Sequence, residues 1–200
     1  MPFTAYKNIG TVVRDFQLTY EEKNFIIESP FQIDDYFKTR FERTLKEGVV
    51  DNSEYALCEN LIAPILREVW FNYSDRFLLW SHQALIYDEQ LSGVPDYLLA
   101  KRSPQGKVVF DKPFFVAVEA KKDDFTQGWG QCGAEMVAVQ KINETENKTI
   151  FGIVSNGKIW EFGKLSDRSF TKNIKIYIIS DLDELFAAIN YVFEQCQLQL

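Results

Sequence analysis

A strand-like segment that ends in charged residues carries the clearest chemical signal in this sequence. Residues 114–122 read FFVAVEAKK. Side chains alternate across a β-strand, so Glu119 and Lys121 lie on one face while Val118 and Ala120 point to the other. With a rise of roughly 3.3 Å per residue, the backbone positions of the carboxylate and the ammonium group are about 7 Å apart. Such a pair on a rigid element suits a hard cation held beside a positive group.

A second carboxylate, Asp96, begins the strand that we predict ahead of this segment. Antiparallel pairing of the two strands would place Asp96 beside Glu119, although 23 positions separate them in the sequence. Two converging carboxylates would bind Mg²⁺, which keeps several waters and takes one or two protein carboxylates together with substrate phosphate. The ion would lower the pKa of a bound water and neutralise charge at phosphorus. Lys121 would stabilise the developing negative charge or orient that water.

Each of the three residues also has a purely structural interpretation. Asp96 could cap a turn. Glu119 and Lys121 could form a same-face ion pair at a strand end, which contributes little to stability if it is exposed. Both interpretations stay open on the sequence alone.

Other catalytic chemistries have weaker support. His82 is the only histidine and lies in the strand-like run LLWSHQALIY, where we expect it to make one structural hydrogen bond. The nucleotide-cradling loops GxxxxGK(S/T) and GxGxxG do not occur. The cysteines are widely spaced without a CxxC pair, which predicts buried reduced thiols rather than disulfides or zinc ligands. They are Cys58, Cys132 and Cys196.

Hydrophobic spacing predicts the helices that precede these residues. Ser29 and Pro30 resemble an N-cap and a first helical position. An apolar stripe at every fourth residue continues from there, namely Ile33, Phe37, Phe41 and Leu45. A second helix is expected from Glu54 to Trp70 with an interruption near Pro64. Its apolar side comprises Cys58, Ile62, Ile65 and Val69.

Strands follow the two helices and predict an antiparallel meander. The runs are Phe77 to Tyr87, Asp96 to Lys101, and Val108 to Lys121 with a break at Pro113. On the last of these, Phe115 and Ala117 are expected on the face of Glu119.

The remaining segments predict a helix, a hairpin, a strand and a last helix. The helix runs from about Thr126 to Lys141. Trp129 either belongs to a flexible entry to this helix or anchors the helix on the core. Its core residues are Cys132, Met136 and Val139. Asn156-Gly157 predicts a type I′ turn between strands 150–155 and 158–162. A strand over 174–179 leads to a helix with Ser180 as N-cap.

The order of elements predicts a mixed α/β fold around one central sheet. At 200 residues the chain can bury one core, so we predict a single domain over 1–200, with 1–50 as an N-terminal helical extension packed on it. Hydrophobic residues at 46% and charged residues at 26% argue against disordered, collagen-like and membrane classes. The start of the chain lacks the pattern of an export signal, and the cytoplasm is the expected location.

The net charge of -7 is the wrong sign for coating nucleic acid through bulk electrostatics. A DNA contact would need a local basic surface. The segment 101–122 offers one, with six basic residues against two acidic ones. An ordinary solvated hairpin is an equally good interpretation of these lysines.

The motif residues resemble those of the PD-(D/E)XK, or restriction-endonuclease-like, nuclease superfamily. The resemblance consists of Pro95-Asp96, then Glu119-Ala120-Lys121 at a strand end, then a helix that carries Gln131, and it covers about residues 54–162. It is closest to the branch with a glutamine on the helix after the motif. It implies an α-β-β-β-α-β core and a Mg²⁺-dependent DNA endonuclease, with Mn²⁺ as a substitute ion.

By that resemblance, Asp96 and Glu119 are metal ligands and Lys121 is the catalytic lysine. Gln131 would support the lysine or contact DNA. A helix glutamate often completes the family's metal site, and we select Glu59 over Glu54 and Glu68 because it lies ahead of the apolar segment.

Two other classes of function compete with a nuclease. The fold could be a catalytically inactive module that binds nucleic acid or a partner protein, or a structural subunit of a larger complex. If the protein cuts both strands of DNA, a homodimer is the expected form.

Overall fold

A mixed sheet of eight strands forms the centre of the molecule in the computed structural model, which describes residues 2–144 and 147–200. The strands of both sheets, in chain order, are β1 (Thr19–Glu22), β2 (Phe77–Ser81), β3 (Leu85–Ile86), β4 (Ser92–Gly93), β5 (Tyr97–Lys101), β6 (Phe114–Ala120), β7 (Ile150–Ser155), β8 (Ile159–Ser166), β9 (Ser169–Lys172) and β10 (Tyr177–Ile178). The large sheet has the order β1-β9-β8-β7-β6-β5-β2, with β10 beside β8, while β3 and β4 form a separate pair.

Helices cover both faces of this sheet. They are α1 (Ile9–Asp15), α2 (Asp35–Glu47), α3 (Glu54–Leu57), α4 (Ala63–Phe71), α5 (Phe125–Asn143) and α6 (Leu182–Gln197). A 3₁₀ turn (Phe3–Ala5) precedes α1, and a π-helical turn (Cys58–Ile62) joins α3 to α4. Within the described part of the chain, no helix has the length and apolar character needed to cross a membrane.

The predicted mixed α/β class is confirmed, and so is the predicted order of its central elements. β2, β5 and β6 pair antiparallel, and α5 then returns the chain so that β7 pairs parallel with β6. Together with α4 they give the order α-β-β-β-α-β. Every residue of β6 is buried, because α5 packs on one face of the sheet and α4 with α6 pack on the other.

The alternation along β6 is broken by a β-bulge, so the prediction that Phe115 lies on the face of Glu119 is wrong. Leu99 pairs with Val116, but the next residue of β5, Ala100, pairs with Phe114. The extra residue shifts the pattern by one position. Phe115 therefore belongs to the buried cluster of Val116, whereas Ala117 belongs to the cluster beneath α5, as expected.

The first amphipathic helix begins later than predicted. Its N-cap is Asp34, whose carboxylate accepts hydrogen bonds from the backbone N–H groups of Tyr36 and Phe37. Ser29 lies before the helix, and its hydroxyl donates to Glu194 instead. A carboxylate that accepts two backbone bonds satisfies more of the helix's free N–H groups than a serine hydroxyl would.

The predicted interruption near Pro64 is confirmed. The π-helical turn ends just before Pro64, which then lies in the first turn of α4. Proline lacks a backbone N–H and cannot bond to the residue four positions before it, so the regular α-helical hydrogen-bond pattern is interrupted ahead of Pro64 while the backbone stays helical. The predicted inward side, Cys58, Ile62, Ile65 and Val69, is buried.

The strand expected from Phe77 to Tyr87 stops at Ser81. His82 has a φ of 51°, in the left-handed region, and this reverses the chain direction. The short strand β3 that follows pairs only with β4.

The hairpin at Asn156-Gly157 is confirmed, but its predicted type is wrong. Only Gly157 has a positive φ, 77°, and the turn closes from the Asn156 N–H to the Ile159 carbonyl. A positive φ at the first central residue alone is the pattern of a type II′ turn. Beyond it, β8 extends to Ser166 and the unpredicted strand β9 follows.

The chain ends differ in detail from prediction. The strand expected over 174–179 shortens to Tyr177–Ile178, and the N-cap of α6 is Asp181 rather than Ser180. The first 50 residues contribute α1 and α2 and also strand β1, which pairs parallel with β9 at the sheet edge.

Candidate active site

The antiparallel pairing of β5 and β6 brings Asp96 to Glu119. Tyr97 pairs with Val118, so the residue before β5 lies across from the penultimate residue of β6. The Asp96 Oδ2 atom accepts a hydrogen bond of 2.7 Å from the backbone N–H of Ala120. This bond fixes one carboxylate oxygen of Asp96 against the end of β6.

Lys121 lies at the same strand end and forms an ion pair with Glu119. Its Nζ atom is 2.9 Å from Glu119 Oε1, and its side chain is only 13% exposed. The backbone N–H of Lys121 donates to the Ser155 carbonyl, which continues the pairing with β7 by one residue. The structure therefore brings Asp96, Glu119 and Lys121 together, as the predicted strand pairing requires.

The absence of a side chain at Gly128 makes room for Lys121 under α5. A Cβ atom at Gly128 would lie 2.6 Å from Val154 Cγ1 and 3.0 Å from Lys121 Cγ. Any larger residue would push the lysine or the helix away. Of the two alternatives for residues 128–130, the structure shows the anchor: they are a buried part of the helix, and Trp129 donates to Glu161.

Glu135 is a fourth member of this cluster, and the sequence analysis missed it. It is 1% exposed and forms a hydrogen bond with the Glu119 side chain. The helical spacing that predicts Cys132, Met136 and Val139 as core residues could have revealed it, because a glutamate in that buried stripe requires a partner. All three of those residues are buried.

Burial controls the protonation of the two glutamates. It raises the pKa of Glu119 to about 7, and the neighbouring Asp96 adds to this rise, while Lys121 and Glu135 oppose it. Burial, followed by the charge of Glu119, raises the pKa of Glu135 well above its ordinary value. The raised pKa of Glu135 favours its protonated form, which can donate the hydrogen bond to Glu119.

The pKa values of the other two groups also rise. Burial raises the pKa of Asp96, although the Ala120 N–H and His82 oppose the rise. Burial alone would lower the pKa of Lys121, but the charges of Glu119, Glu54 and Asp96 outweigh it. Lys121 therefore stays positively charged.

The other two predicted site residues, Gln131 and Glu59, differ from each other in burial. Gln131 is 6% exposed and lies one helical turn before Glu135. Glu59 is exposed on the π-helical turn. Another helix glutamate, Glu54, reaches the cluster, with its Oε1 atom 4.0 Å from Lys121 Nζ.

The donor atoms of this cluster suit a hard divalent cation. The carboxylate oxygens of Asp96 and Glu119 are the ligands that Mg²⁺ and Mn²⁺ prefer. Two buried oxygens of the described residues, Gln131 Oε1 and Glu135 Oε2, have no hydrogen-bond partner. Buried carboxyl groups beside a single lysine are costly when ionised, so they keep a proton or bind a further positive charge.

The basic segment 101–122 does not form one surface. β5 and β6 run antiparallel, so Lys101 lies at the opposite end of the sheet from Lys121. The seven residues of β6 separate the two ends by roughly 23 Å at 3.3 Å per residue. Lys112, near the far end, pairs with Glu144. Lys122 is the basic residue of this segment that stays beside Lys121.

His82 lies beside Asp96, with its Nε2 atom 3.3 Å from Asp96 Oδ1. Its Nδ1 atom is hydrogen-bonded to the Ser81 hydroxyl at 2.8 Å. This agrees with the expected structural hydrogen bond. The three cysteines are unpaired and buried, as predicted.

In comparisons with protein-family models, curated proteins and solved structures, nothing matched this chain.

Proposed function

We propose that this protein is a metal-dependent phosphodiesterase that cleaves DNA. The observation that carries the proposal is the convergence of Asp96, Glu119 and Lys121 at the adjoining ends of β5 and β6. Two carboxylates beside a buried lysine are suited to phosphate chemistry that is assisted by a metal ion. The resemblance to PD-(D/E)XK nucleases adds support, since the order of central elements is the one it implies.

The residues have separate roles in this proposal. Asp96 and Glu119 hold Mg²⁺ or Mn²⁺, which when bound supplies an acidified water and positive charge at the phosphate. Lys121 orients that water or stabilises the negative charge that develops at phosphorus. The ion pair with Glu119 holds its ammonium group at the strand end. Gln131 supports the lysine or contacts DNA, and Glu59 remains our proposed additional ligand.

Glu135 would position Glu119 before an ion binds. Its hydrogen bond holds one side of the Glu119 carboxylate beneath α5. Lys121 holds the Oε1 atom on that same carboxylate. The proposed reaction uses water as nucleophile, so it requires neither a covalent intermediate nor catalysis by His82.

The proposed partners and location follow from this function. DNA would approach through Lys121 and Lys122, and a homodimer would supply two sites for cutting both strands. Three free buried thiols fit a reducing compartment, which supports a location in the cytoplasm.

A binding module without catalysis is the second candidate. The observation that favours it is burial, since Glu119 is 4% exposed and already paired with both Lys121 and Glu135. The net charge of -7 also favours a binder that contacts nucleic acid over a small area or contacts a partner protein.

Cleavage assays distinguish the two candidates. Purified protein with Mg²⁺ or Mn²⁺ is incubated with supercoiled plasmid, linear duplex, single-stranded DNA and RNA. We expect Glu119→Gln and Lys121→Met to reduce cleavage by at least about a hundredfold, the range found when one transition-state donor is removed. Glu59→Gln is measured beside them and tests the proposed extra ligand.

Lys101→Met is the matched control, because it removes an exposed lysine at the opposite end of the sheet and leaves the ion pair intact. Circular dichroism checks that each variant folds. Cleavage that persists unchanged in Glu119→Gln would contradict the proposal. If no nucleic acid is cut but calorimetry shows Mg²⁺ binding that Glu119→Gln removes, the binding module is the better description.

A further inference from the structure

A second group of possible metal ligands lies on the other side of Asp96. One ligand atom from each of Cys58, His82 and Asp96 lies within 4.8 Å of the other two. Within residues 2–144 and 147–200, no other set of three His, Cys, Asp or Glu side chains brings its ligand atoms this close together. The cluster of Asp96, Glu119 and Glu135 does not meet that condition.

The spacing is close to that of a bound tetrahedral ion. Metal bonds of about 2.0 Å to nitrogen or oxygen and 2.3 Å to sulfur place neighbouring ligand atoms about 3.3 to 3.6 Å apart. His82 Nε2 and Asp96 Oδ1 are already 3.3 Å apart. A small movement of the Cys58 side chain would complete three corners of the tetrahedron.

Three separate elements hold these ligands in place. Cys58 begins the π-helical turn, and π turns within α-helices often lie at functional sites. The Tyr97 hydroxyl donates a 3.1 Å hydrogen bond to the Cys58 carbonyl, which ties this turn to β5. The backbone N–H of His82 donates to the Asp96 carbonyl at 2.9 Å.

The conformation of His82 presents the correct ring nitrogen. The Ser81 hydroxyl can accept from Nδ1–H when a metal ion takes the place of a proton between Nε2 and Asp96, which leaves the Nε2 lone pair for the metal. His82 holds a φ of 51°, a left-handed conformation that costs energy for a residue other than glycine. Residues held in such conformations cluster at functional sites.

We propose that Cys58, His82 and Asp96 bind a borderline-soft divalent cation of the Zn²⁺ class. One thiolate, one imidazole and one carboxylate favour such ions over Mg²⁺. On binding, Cys58 Sγ bonds to the metal and its proton leaves to solvent, so no oxidation or reduction occurs. Three protein ligands leave the fourth tetrahedral position for water.

The site is open to solvent on one side. The His82 side chain is 40% exposed and that of Asp96 is 21% exposed, whereas Cys58 is buried behind them. An ion would therefore enter past His82 and contact the thiol last. The proposal requires neither DNA nor Mg²⁺, and it replaces the prediction that all three cysteines are inert thiols.

Cobalt spectroscopy of the purified full-length protein tests the site. Co²⁺ bound by a thiolate absorbs in the near ultraviolet, and tetrahedral Co²⁺ absorbs strongly in the visible range. We expect both signals at one equivalent of Co²⁺ and their loss when Zn²⁺ is added. Cys58→Ser should remove the near-ultraviolet band.

His82→Asn is the second variant, because asparagine tolerates a positive φ and the residue is exposed, so the core is unchanged. We expect it to weaken Co²⁺ binding by at least about tenfold, since even groups that only orient a ligand contribute that much. Cys196→Ser is the matched control, since it replaces another buried free cysteine.

Glu119→Gln separates this site from the proposed nuclease site. It should leave the cobalt signals intact even if the nuclease proposal fails. A wild-type protein without the near-ultraviolet band, or a Cys58→Ser variant that retains it, would overturn the inference. Equal Co²⁺ affinity in His82→Asn and wild type would overturn it as well.

Discussion

Asp96 separates two clusters that differ in depth and in donor type. On the inner side, Glu119 of β6 and Glu135 of α5 are buried and balanced by one lysine. On the outer side, His82 is exposed and Cys58 lies just behind it. The inner side offers oxygen ligands, while the outer side adds sulfur and nitrogen.

The two sides are also held together by different means. A proton on Glu135 and the charge of Lys121 hold the inner carboxylates before any ion arrives. The backbone bond between His82 and Asp96 and the hydrogen bond between His82 and Ser81 hold two of the outer ligands, with their atoms 3.3 Å apart. An ion on the inner side must therefore compete with a proton and with the Lys121 ammonium group for the same carboxylates, whereas an ion on the outer side competes with the thiol proton of Cys58. The softness of the ligand atoms and the geometry of each cluster would together let the two sides select different metals.

Replacement of the shared residue has the largest expected effect. Asp96→Asn removes a ligand from both clusters, so we expect DNA cleavage to fall by at least about a hundredfold and the cobalt signals to be lost. The asparagine carbonyl can still accept the Ala120 N–H, so stability should change little. Cleavage assays and cobalt titration measure the two effects on one preparation.

Asp96→Ala serves as the comparison for stability. It leaves the Ala120 N–H without its partner, and we expect a loss of about 1–3 kcal/mol in the free energy of unfolding. Intact cobalt binding in Asp96→Asn would show that the clusters do not share this residue.

The inner side should make stability depend on pH. The pKa of Glu119 rises from 4.5 in the unfolded chain to about 7 in the fold. Its stabilising effect is therefore complete below pH 4.5 and is lost as the pH rises toward 7, by about 3 kcal/mol at most. Glu135 has a shift of the same sign. Urea unfolding between pH 5 and pH 7.5 measures the slope.

Glu119→Gln should flatten that slope, because the amide does not titrate. Saturating Mg²⁺ should also flatten it in the wild type, since an ion favours the ionised carboxylate. Glu59→Gln, on an exposed position, is the control and should keep the wild-type slope. A Glu119→Gln protein with an unchanged slope would show that another group causes the dependence.

The inner cluster was largely predictable from sequence, and the outer cluster was not. Strand alternation places Glu119 and Lys121 on one face, and meander pairing brings Asp96 to them. These are local rules that apply along two neighbouring strands. Glu135 was within reach of the same reasoning, since helical spacing aligns it with Cys132 and Val139.

The outer cluster depends on features that local rules do not contain. His82 leaves the predicted strand through a positive φ, and Cys58 approaches only because the π-helical turn packs against β5. Local rules also do not predict the β-bulge that moves Phe115 to the other face, since the bulge follows from packing on both faces of the sheet. Tertiary contacts decided each of these positions.

The packing above Lys121 offers a smaller test of the inner side alone. Gly128→Ala would place a Cβ atom 2.6 Å from Val154 Cγ1, and we expect a loss of about 1–3 kcal/mol in the free energy of unfolding. Lys121 should be displaced with it, which lowers cleavage, while cobalt binding on the outer side is unchanged. Thermal unfolding and both binding assays measure these effects.

The double variant Gly128→Ala, Val154→Ala is the control for the steric cause. Removing the valine methyl groups makes space for the new Cβ atom, so Gly128→Ala should cost less stability in a Val154→Ala background than in the wild type. Val154→Ala alone is measured as well, because the loss of its buried methyl groups has a cost of its own. An equal cost of Gly128→Ala in both backgrounds would show that overpacking against Val154 is not the cause.

Ser81→Ala should have the smallest effect, and it tests the outer side without removing a ligand. Ser81 can accept the Nδ1–H of His82 in the metal-bound form, which keeps the lone pair on Nε2 for the ion. Without this acceptor the imidazole can turn or change tautomer, and we expect Co²⁺ affinity to fall by about tenfold with the same absorption bands. DNA cleavage and the pH slope of stability should stay as in the wild type, because neither depends on the histidine. A change in the cleavage rate that equals the change in cobalt affinity would instead mean that the two sides of Asp96 act as one site.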